Sequence, residues 1–214
     1  MRRLTALLLV AGLVLTAGCS GISVSGDRIE FDAGQTVVDE AAAADAGYEL
    51  QESRTEELNE TVSPAGREMQ IVVRNHVAVY EKTGGPEGMA AASVGVVTMP
   101  DASVAGRNLN PVASMNETEL LQQFAGDTGG SLEFERQERY TVRTLGGEAN
   151  VTVYRATSDG DQPDAYVHLL RDSPSGSDDA VLAYAMYPVQ AEEIERDNVE
   201  EMLSSLVYSA PDDS

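Results

Sequence analysis

The sequence predicts an α+β fold in which a mainly antiparallel sheet of about six to seven strands is flanked by helices. Seven segments have the alternating or doubly apolar pattern of strands, and three have the end signals or apolar stripe of helices. Short Gly-rich turns join several of the strands, and such turns connect antiparallel neighbours. The predicted order is helix, three strands, helix, four strands, helix, which is typical of an α+β domain.

The first helix is predicted from Thr36-Val37-Val38-Asp39, which has the spacing of a helix start. It should end near Ala46, because Gly47 is a typical residue just after a helix. Residues 48–62 alternate weakly and predict an exposed strand.

Residues 71–82 form a clearer strand, since their odd-numbered positions are mostly Ile and Val. Gly84-Gly85-Pro86 ends this strand, and residues 91–99 predict the next one. Asn116 and Glu119 have the spacing of a capping box, which predicts a short helix that stops at Gly126.

A hairpin follows the second helix. Its first strand is predicted from apolar residues that all fall on even positions, namely Leu132, Phe134, Tyr140 and Val142. Gly146-Gly147 is the predicted turn, and the returning strand contains Val151 and Val153. Residues 165–171 and 180–187 predict two more strands, the second apolar on both faces and therefore central. A closing helix is predicted over 191–208, with the apolar stripe Ile194, Val199, Met202, Leu203, Leu206 and Val207.

The N-terminus has the pattern of an export signal. Arg2-Arg3 precedes an apolar run from Leu4 to Ala17, and this run is too short for a membrane span, which needs about 20 residues. The run leads to Leu15-Thr16-Ala17-Gly18-Cys19, which resembles a lipoprotein lipobox with Thr16 where Leu is usual. That resemblance implies cleavage after residue 18, lipidation of Cys19 and anchoring at the outer face of the cell membrane.

Two alternatives stay open at this end of the chain. Arg2-Arg3 leaves both the general secretory and the twin-arginine export routes possible, and an ordinary secretory signal would leave Cys19 as a free thiol. Because Cys19 is the only cysteine, it has no partner for an intramolecular disulfide. The predicted organisation is a signal over 1–18, a flexible tether over 19–30, one α+β domain over 31–209 and an acidic tail over 210–214.

The chain is strongly acidic. Its 36 Asp and Glu face 14 Lys and Arg, and loss of Arg2 and Arg3 with the signal leaves 36 against 12, a net charge of −24. This charge disfavours nucleic acid and anionic headgroups as partners. Molar salt shortens the Debye length to about 3 Å and would screen the self-repulsion, so we expect loss of structure in dilute buffer.

Two family resemblances follow from these features. The lipobox, the acidic composition with a single Lys, and Gly47-Tyr48-Glu49-Leu50 resemble uncharacterised haloarchaeal lipoproteins. The strand meander followed by a helix that closes on Leu-Val-Tyr-Ser resembles the PsbP and Mog1 group over roughly the last 140 residues. The first resemblance implies a halophilic surface lipoprotein and the second a mostly non-catalytic role; neither supplies catalytic residues.

Few residues in the sequence have the type and spacing of a catalytic, cofactor-binding or metal site. The sequence contains no G-x-S-x-G, H-E-x-x-H, C-x-x-C, Walker or G-x-G-x-x-G motif. A blue-copper site needs a Cys beside two His, and the lipidation implied by the lipobox resemblance would use the only Cys. His76 and His168 fall opposite the main apolar residues of their strands, so we expect surface or second-face positions. No cofactor is predicted.

Asp159, Asp161 and Asp164 are weak candidates for a Ca²⁺ or Mg²⁺ site, because hard cations prefer clustered carboxylates. A solvated turn, which Asp, Gly and Pro form without an ion, explains the same residues. Three sequons, at Asn59, Asn116 and Asn150, are possible N-glycosylation sites in an exported protein, although Asn116 can serve as a helix cap instead.

Two classes of function remain. The sequence favours a non-catalytic lipoprotein that binds a protein partner or a small apolar ligand at the cell surface. The alternative is an exported hydrolase with an unrecognised site. The solute-binding subunit of a transporter is disfavoured, because such subunits usually have two lobes and a longer chain.

Overall fold

The computed structural model describes residues 21–63, 66, 68–84, 90–104, 107–110, 112, 115–127, 132–158 and 164–211. The helices in these ranges are α1 (Glu40–Ala46), α2 (Glu117–Asp127) and α3 (Glu192–Ser204). The strands are β1 (Ile22–Ser25), β2 (Arg28–Asp32), β3 (Gln35–Val38), β4 (Glu49–Val62), β5 (Met69–Thr83), β6 (Ala90–Met99), β7 (Ser103–Val104), β8 (Arg107–Asn108), β9 (Leu132–Thr144), β10 (Gly147–Ser158), β11 (Ala165–Asp172), β12 (Ala180–Pro188) and β13 (Leu206–Ser209). None of these helices combines the length and apolar character needed to cross a membrane.

The fold is α+β and sheet-dominated, as predicted, but the main sheet has nine strands instead of six to seven. Seven of them are the predicted strands, in the spatial order β4, β5, β6, β12, β11, β10, β9, and all these neighbours are antiparallel. The additional strands are β1 and β2, and β2 pairs in parallel with the start of β5.

The sequence missed β1 and β2 because Ser and Gly dominate residues 20–26, a composition that favours a tether. The structure places Phe31 of β2 in a small core with Ile71, Val73 and Ala102. Burial of Phe31 and a parallel ladder to β5 therefore hold much of the predicted tether against the domain.

The two faces of the main sheet are both covered. Helices α1 and α3 pack on the first face over a large core that includes Tyr80, Val94, Ala183 and Met202. Helix α2 packs on the second face over a smaller core that includes Leu121 and other Leu, Val and Tyr side chains. Strand β12 is apolar on both faces and central, as the sequence predicts.

The first helix begins later than predicted. Thr36-Val37-Val38 is strand β3, and Asp39 is the N-cap, whose carboxylate accepts hydrogen bonds from the N–H groups of the next turn. Gly47 ends the helix in a left-handed conformation with φ of 78°, as expected.

The closing helix ends earlier than predicted, at Ser204. Residues 206–209 form β13, which pairs with β3 in a separate two-stranded sheet. Ile194, assigned to the apolar stripe, is 65% exposed, and Glu195 occupies the buried position instead. The predicted hairpin is confirmed as β9 and β10, but its turn residues are Leu145 and Gly146, both with positive φ.

Candidate functional site

An apolar groove of about 290 Å³ lies between α2 and the second face of the main sheet. Side chains from α2 and from β4, β5, β6, β11 and β12 contribute to its wall. Nine of the described lining residues are Val or Leu, and the others are Arg54, Glu56, Asn75, Gln123 and Tyr184. The Val and Leu residues are Val77, Val79, Val97, Val112, Leu120, Leu121, Val167, Leu169 and Leu182.

Helix α2 forms one wall, and its start is fixed by the predicted capping box. Asn116 Oδ1 accepts from the Glu119 N–H at 3.0 Å, and Glu119 Oε2 accepts from the Asn116 N–H at 2.8 Å. Glu117 accepts from the Tyr154 hydroxyl on β10 at 2.5 Å, which ties the first turn to the sheet. Burial, together with the Glu117 carboxylate, raises the pKa of Tyr154 to about 12.

Gly95 shapes the floor of the groove. It pairs with Tyr184 on the neighbouring strand, and a Cβ at position 95 would collide with the phenol ring of Tyr184. The ring therefore lies across Gly95, in space that any other residue would fill. This arrangement leaves Tyr184 as the aromatic side chain in the wall of the groove.

The mouth of the groove is polar and close to neutral. Arg54 on β4 donates to Glu56 Oε1 from Nη2 at 2.5 Å and also forms an ion pair with Glu52. These two bonds raise the pKa of the Arg54 guanidinium. Because Arg54 is already paired with two carboxylates, the mouth offers little attraction for an anion.

One buried amide also lines the groove. Asn75 is 5% exposed, and its Oδ1 accepts from Nδ2 of Asn110 at 2.8 Å. The Asn75 oxygen is therefore already engaged in a hydrogen bond within the protein. The remaining end, Nδ2, is a hydrogen-bond donor, so the polar contact that this residue can offer a ligand is donation.

A larger hollow, of about 530 Å³, lies beside α1. Its lining includes the carboxylates of Asp39, Glu40 and Glu49 and the half-exposed Leu50. Asp39 is occupied as the N-cap of α1. Because three carboxylates stand beside its Val, Leu and Tyr side chains, this hollow is a more acidic site than the groove beneath α2 and suits an uncharged apolar ligand less well.

His168 is the least expected polar residue in the structure. It lies on the first face, in the large core beneath α3, and is fully buried, whereas the sequence predicted a surface or second-face position. Its Nδ1 is 2.8 Å from the Tyr140 hydroxyl and its Nε2 is 2.9 Å from the Tyr187 hydroxyl. Burial, with a smaller effect of Arg196, lowers the pKa of His168 to about 4. A neutral imidazole fits two phenols, because it donates to one and accepts from the other.

His76 is half-buried, and its Nε2 lies 3.2 Å from Ser53 Oγ. Burial lowers its pKa. Both histidines lie on the face of the sheet that α1 and α3 cover, but their strands, β5 and β11, are separated by β6 and β12. The structure therefore does not bring them together.

The three sequon residues lie on the surface. Asn59 on β4 and Asn150 on β10 are exposed, and Asn150 faces away from buried Val151 as predicted. Asn116 is also exposed, but its side chain caps α2. Glycosylation at these three positions stays a prediction.

The remaining predicted site residues are mostly outside the described ranges. Cys19, Asp159 and Asp161 lie there, whereas Asp164 is described and accepts from Arg155 at 2.6 Å. Among the described residues, no group of three His, Cys, Asp or Glu side chains is placed to hold a metal ion. The weak metal prediction at Asp159, Asp161 and Asp164 therefore stays a prediction.

A comparison with protein families identifies the family of this chain. A family model described as a domain of unknown function, DUF6517, matches residues 35–207, which is most of the chain. The chain belongs to the DUF6517 family. The matched range starts in β3 and ends in β13, so the family domain contains every element that forms the groove. No curated protein matches.

Five solved chains match this DUF6517 chain, among them a PsbP structure. It is the solution structure of cyanobacterial PsbP (CyanoP) from Synechocystis sp. PCC 6803, with 12% sequence identity and a TM-score of 0.38. The similarity covers 91% of this chain and 99% of that one. Nothing about the groove is transferred from that protein.

Sequence reasoning did not find the groove. The parity of Val167 and Leu169 showed that one face of β11 is apolar, and the capping box located α2. The space between α2 and the sheet depends on how far the helix stands from that face, and no local pattern encodes this distance. Gly95 opposite Tyr184 was the available signal, because a Gly inside a strand often marks a close approach.

Proposed function

We propose that this chain is a non-catalytic binding module that holds a small, uncharged, apolar ligand in the groove beneath α2. The observation that carries the proposal is the lining of the groove, in which nine Val and Leu side chains surround one Tyr and one buried amide. Pockets that bind small molecules are commonly apolar with a few polar groups that orient the ligand. A volume of about 290 Å³ suits a compact ligand.

The charge of the protein supports an uncharged ligand. The net charge of −22 repels anions, and Arg54 at the mouth is held by Glu52 and Glu56. The described lining residues include no Ser, Thr, Cys, His or Lys, and the one carboxylate among them, Glu56, is paired with Arg54. This lining supports binding without turnover.

We further propose that the module is exported and anchored at the outer face of the cell membrane through lipidated Cys19. The support is the lipobox-like Leu15-Thr16-Ala17-Gly18-Cys19 and the short apolar run before it. The acidic composition supports a halophilic surface protein, since carboxylates keep a surface hydrated in concentrated salt.

The binding proposal is tested with N-phenyl-1-naphthylamine, an uncharged probe whose fluorescence rises in apolar surroundings. We expect saturable binding to the protein in concentrated KCl, and at least tenfold weaker binding by Val79→Phe, which fills the groove. Val37→Phe is the matched control, because Val37 is also half-buried in a strand but lies in the other core. Equal affinity of the wild type and both variants would show that the probe binds elsewhere.

The anchoring proposal is tested by intact-mass spectrometry of the protein from the membrane fraction of a halophilic host. We expect a diacylglycerol-sized addition on Cys19 of the wild type. For Cys19→Ser we expect either release of the protein from the membrane or accumulation of the uncut precursor. An unmodified thiol at Cys19 in the membrane-fraction protein would refute lipidation.

A further inference from the structure

Strand β4 is unusual because both of its faces and one of its edges are exposed. Thirteen of its fourteen residues are exposed and the last, Val62, is intermediate. In the described part of the chain, β5 is the strand that pairs with β4, along almost its full length. The outer edge of β4 therefore presents a long row of backbone N–H and C=O groups to solvent.

The charges of β4 bear on what can pair with that edge. The strand carries five Glu and one Arg, Arg54, a net charge of −4. Charged residues often protect an edge against unwanted pairing. Here their order along the strand decides which registers of self-pairing are allowed, because like charges directly opposite each other are destabilising.

Two antiparallel copies of one strand can be opposed only in certain registers. Hydrogen-bonded residues face hydrogen-bonded residues, so each residue opposes one that lies an even number of positions away along the sequence. The strand is regular from Glu52 to Val62, beyond the bulge between Leu50 and Glu52. Each allowed register thus has a two-fold axis at one residue of this stretch.

With the axis at Thr55, the pattern is favourable. Arg54 lies opposite Glu56 of the second copy, and Glu56 lies opposite Arg54, so two opposite-charge pairs form. Thr55 meets Thr55, Ser53 meets Glu57, and Glu52 meets Leu58. No two like charges are directly opposed over these seven positions.

The neighbouring registers are unfavourable. An axis at Arg54 opposes Arg54 to itself and Glu52 to Glu56. An axis at Glu56 opposes Glu56 to itself and Glu52 to Glu60, and an axis at Glu57 opposes Glu57 to itself. The sequence of β4 therefore favours the Thr55 register over those with the axis at Arg54, Glu56 or Glu57. An axis at Ser53 would also pair Arg54 with Glu52, but that register runs into the bulge between Leu50 and Glu52.

We propose that β4 pairs with β4 of a second copy of this chain, antiparallel and with the two-fold axis at Thr55. The pairing joins the two main sheets into one continuous sheet across the dimer. Arg54 and Glu56 also line the groove, so the axis brings two groove mouths side by side on one face of the joined sheet. Because each chain carries a net charge of −22, dimer formation strengthens as salt screens the repulsion.

Disulfide trapping tests the register directly. In the full-length Cys19→Ser protein, Thr55→Cys provides the only thiol and lies opposite itself in the proposed dimer. We expect rapid formation of a covalent dimer in concentrated KCl. Ser53→Cys is the matched control on the same strand, since it lies opposite Glu57 and should cross-link at least tenfold more slowly. Equal rates for both variants would overturn the register.

A charge exchange tests the pairing without a disulfide. We expect Arg54→Glu to weaken the dimer about tenfold or more, because it replaces two opposite-charge pairs by two Glu–Glu pairs. Arg54→Glu combined with Glu56→Arg restores both pairs and should restore the dimer. Sedimentation across KCl concentrations measures the association constant. A monomer at every salt and protein concentration, or a double variant as weak as Arg54→Glu, would overturn the proposal.

Discussion

Nζ of Lys82 lies 2.7 Å from Oε1 of Glu195, and this pair joins the end of β5 to the first turn of α3. Lys82 is the only lysine in the sequence, and Glu195 is 6% exposed. The Tyr48 hydroxyl donates to Oε2 of Glu195 at 2.9 Å, and the Lys82 ammonium lies 5.5 Å from the centre of the Tyr48 ring. The buried carboxylate therefore has a cation, a hydroxyl and an aromatic ring around it.

Removing the cation should leave Glu195 buried and uncompensated. We expect Lys82→Met to lower the free energy of unfolding by about 1–3 kcal/mol, less than for a fully buried pair because a quarter of the Lys82 side chain is exposed. Chemical denaturation in concentrated KCl measures this change. Arg155→Met is the control, since its ion pair with Asp164 is more exposed and should contribute at most about 1 kcal/mol. Equal losses in both variants would contradict the special role of the buried pair.

The His168 network predicts a pH dependence of stability. Its folded pKa of about 4 lies below the ordinary value of 6.5, so the folded state prefers neutral imidazole. As pH falls from 6.5 to 4, the unfolded chain takes up a proton that the folded chain does not, and stability falls. The loss should be on the order of 3 kcal/mol and level off below pH 4.

The variant His168→Gln separates this effect from the titration of the carboxylates. We expect the difference in unfolding free energy between wild type and His168→Gln to shrink as pH falls from 7 to 4. Denaturant titrations at several pH values in one KCl concentration provide the measurement. A difference that is constant with pH would show that His168 titrates alike in the folded and unfolded chains.

Asp179 contributes to the pH dependence of stability with the opposite sign to His168. Burial raises its pKa, and the hydrogen bonds that its Oδ2 accepts from the Gly34 N–H and the Tyr208 hydroxyl oppose that rise. The folded state favours the protonated acid more than the unfolded chain does, so this residue's contribution to stability improves as pH falls toward its raised pKa.

Two substitutions at this position should differ sharply at pH 7. Asp179→Asn keeps one oxygen that can accept both bonds, and we expect a change within about 1 kcal/mol. Asp179→Ala leaves both donors without that acceptor, and we expect a loss of about 2–4 kcal/mol. Thermal or chemical unfolding of the two variants checks the order. A larger loss for Asn than for Ala would contradict the assigned bonds.

Gly95 links the fold to the groove. A methyl group at position 95 would collide with the ring of Tyr184, so we expect Gly95→Ala to displace Tyr184 and to weaken binding of N-phenyl-1-naphthylamine at least fivefold. The double variant Gly95→Ala with Tyr184→Leu removes the collision and should regain part of the affinity. Wild-type affinity in Gly95→Ala would show that the Tyr184 ring does not shape the binding site.

The sequence predicted the elements that local patterns encode and failed where two distant segments meet. Residues 36–38 were assigned to a helix start and residues 206–208 to a helix end, yet the two segments pair with each other as β3 and β13. Each has an apolar pattern that suits either element, and only the ladder between chain positions about 170 residues apart decides between them.

The candidate site was less predictable than the fold. The capping box of α2 and the exposure of β4 follow from spacing and from the weak alternation of the strand, whereas the buried first-face position of His168 does not. Glu195 is buried although it is charged, and its local sequence does not predict this. Its burial depends on the ion pair with Lys82, which is more than a hundred residues away in sequence. Buried polar groups of this kind are specified by tertiary partners that a single segment does not reveal.

The measurement that tests the central claim most directly is an NMR experiment on protein labelled with ¹³C at the Leu and Val methyl groups, in concentrated KCl with N-phenyl-1-naphthylamine. If the groove binds uncharged apolar ligands, intermolecular nuclear Overhauser effects will connect the probe to methyl groups of Leu120, Leu121, Leu169 and Leu182. Contacts confined to exposed Val24, Leu50 or Val207, or no contacts with the groove at saturating probe, would contradict the account.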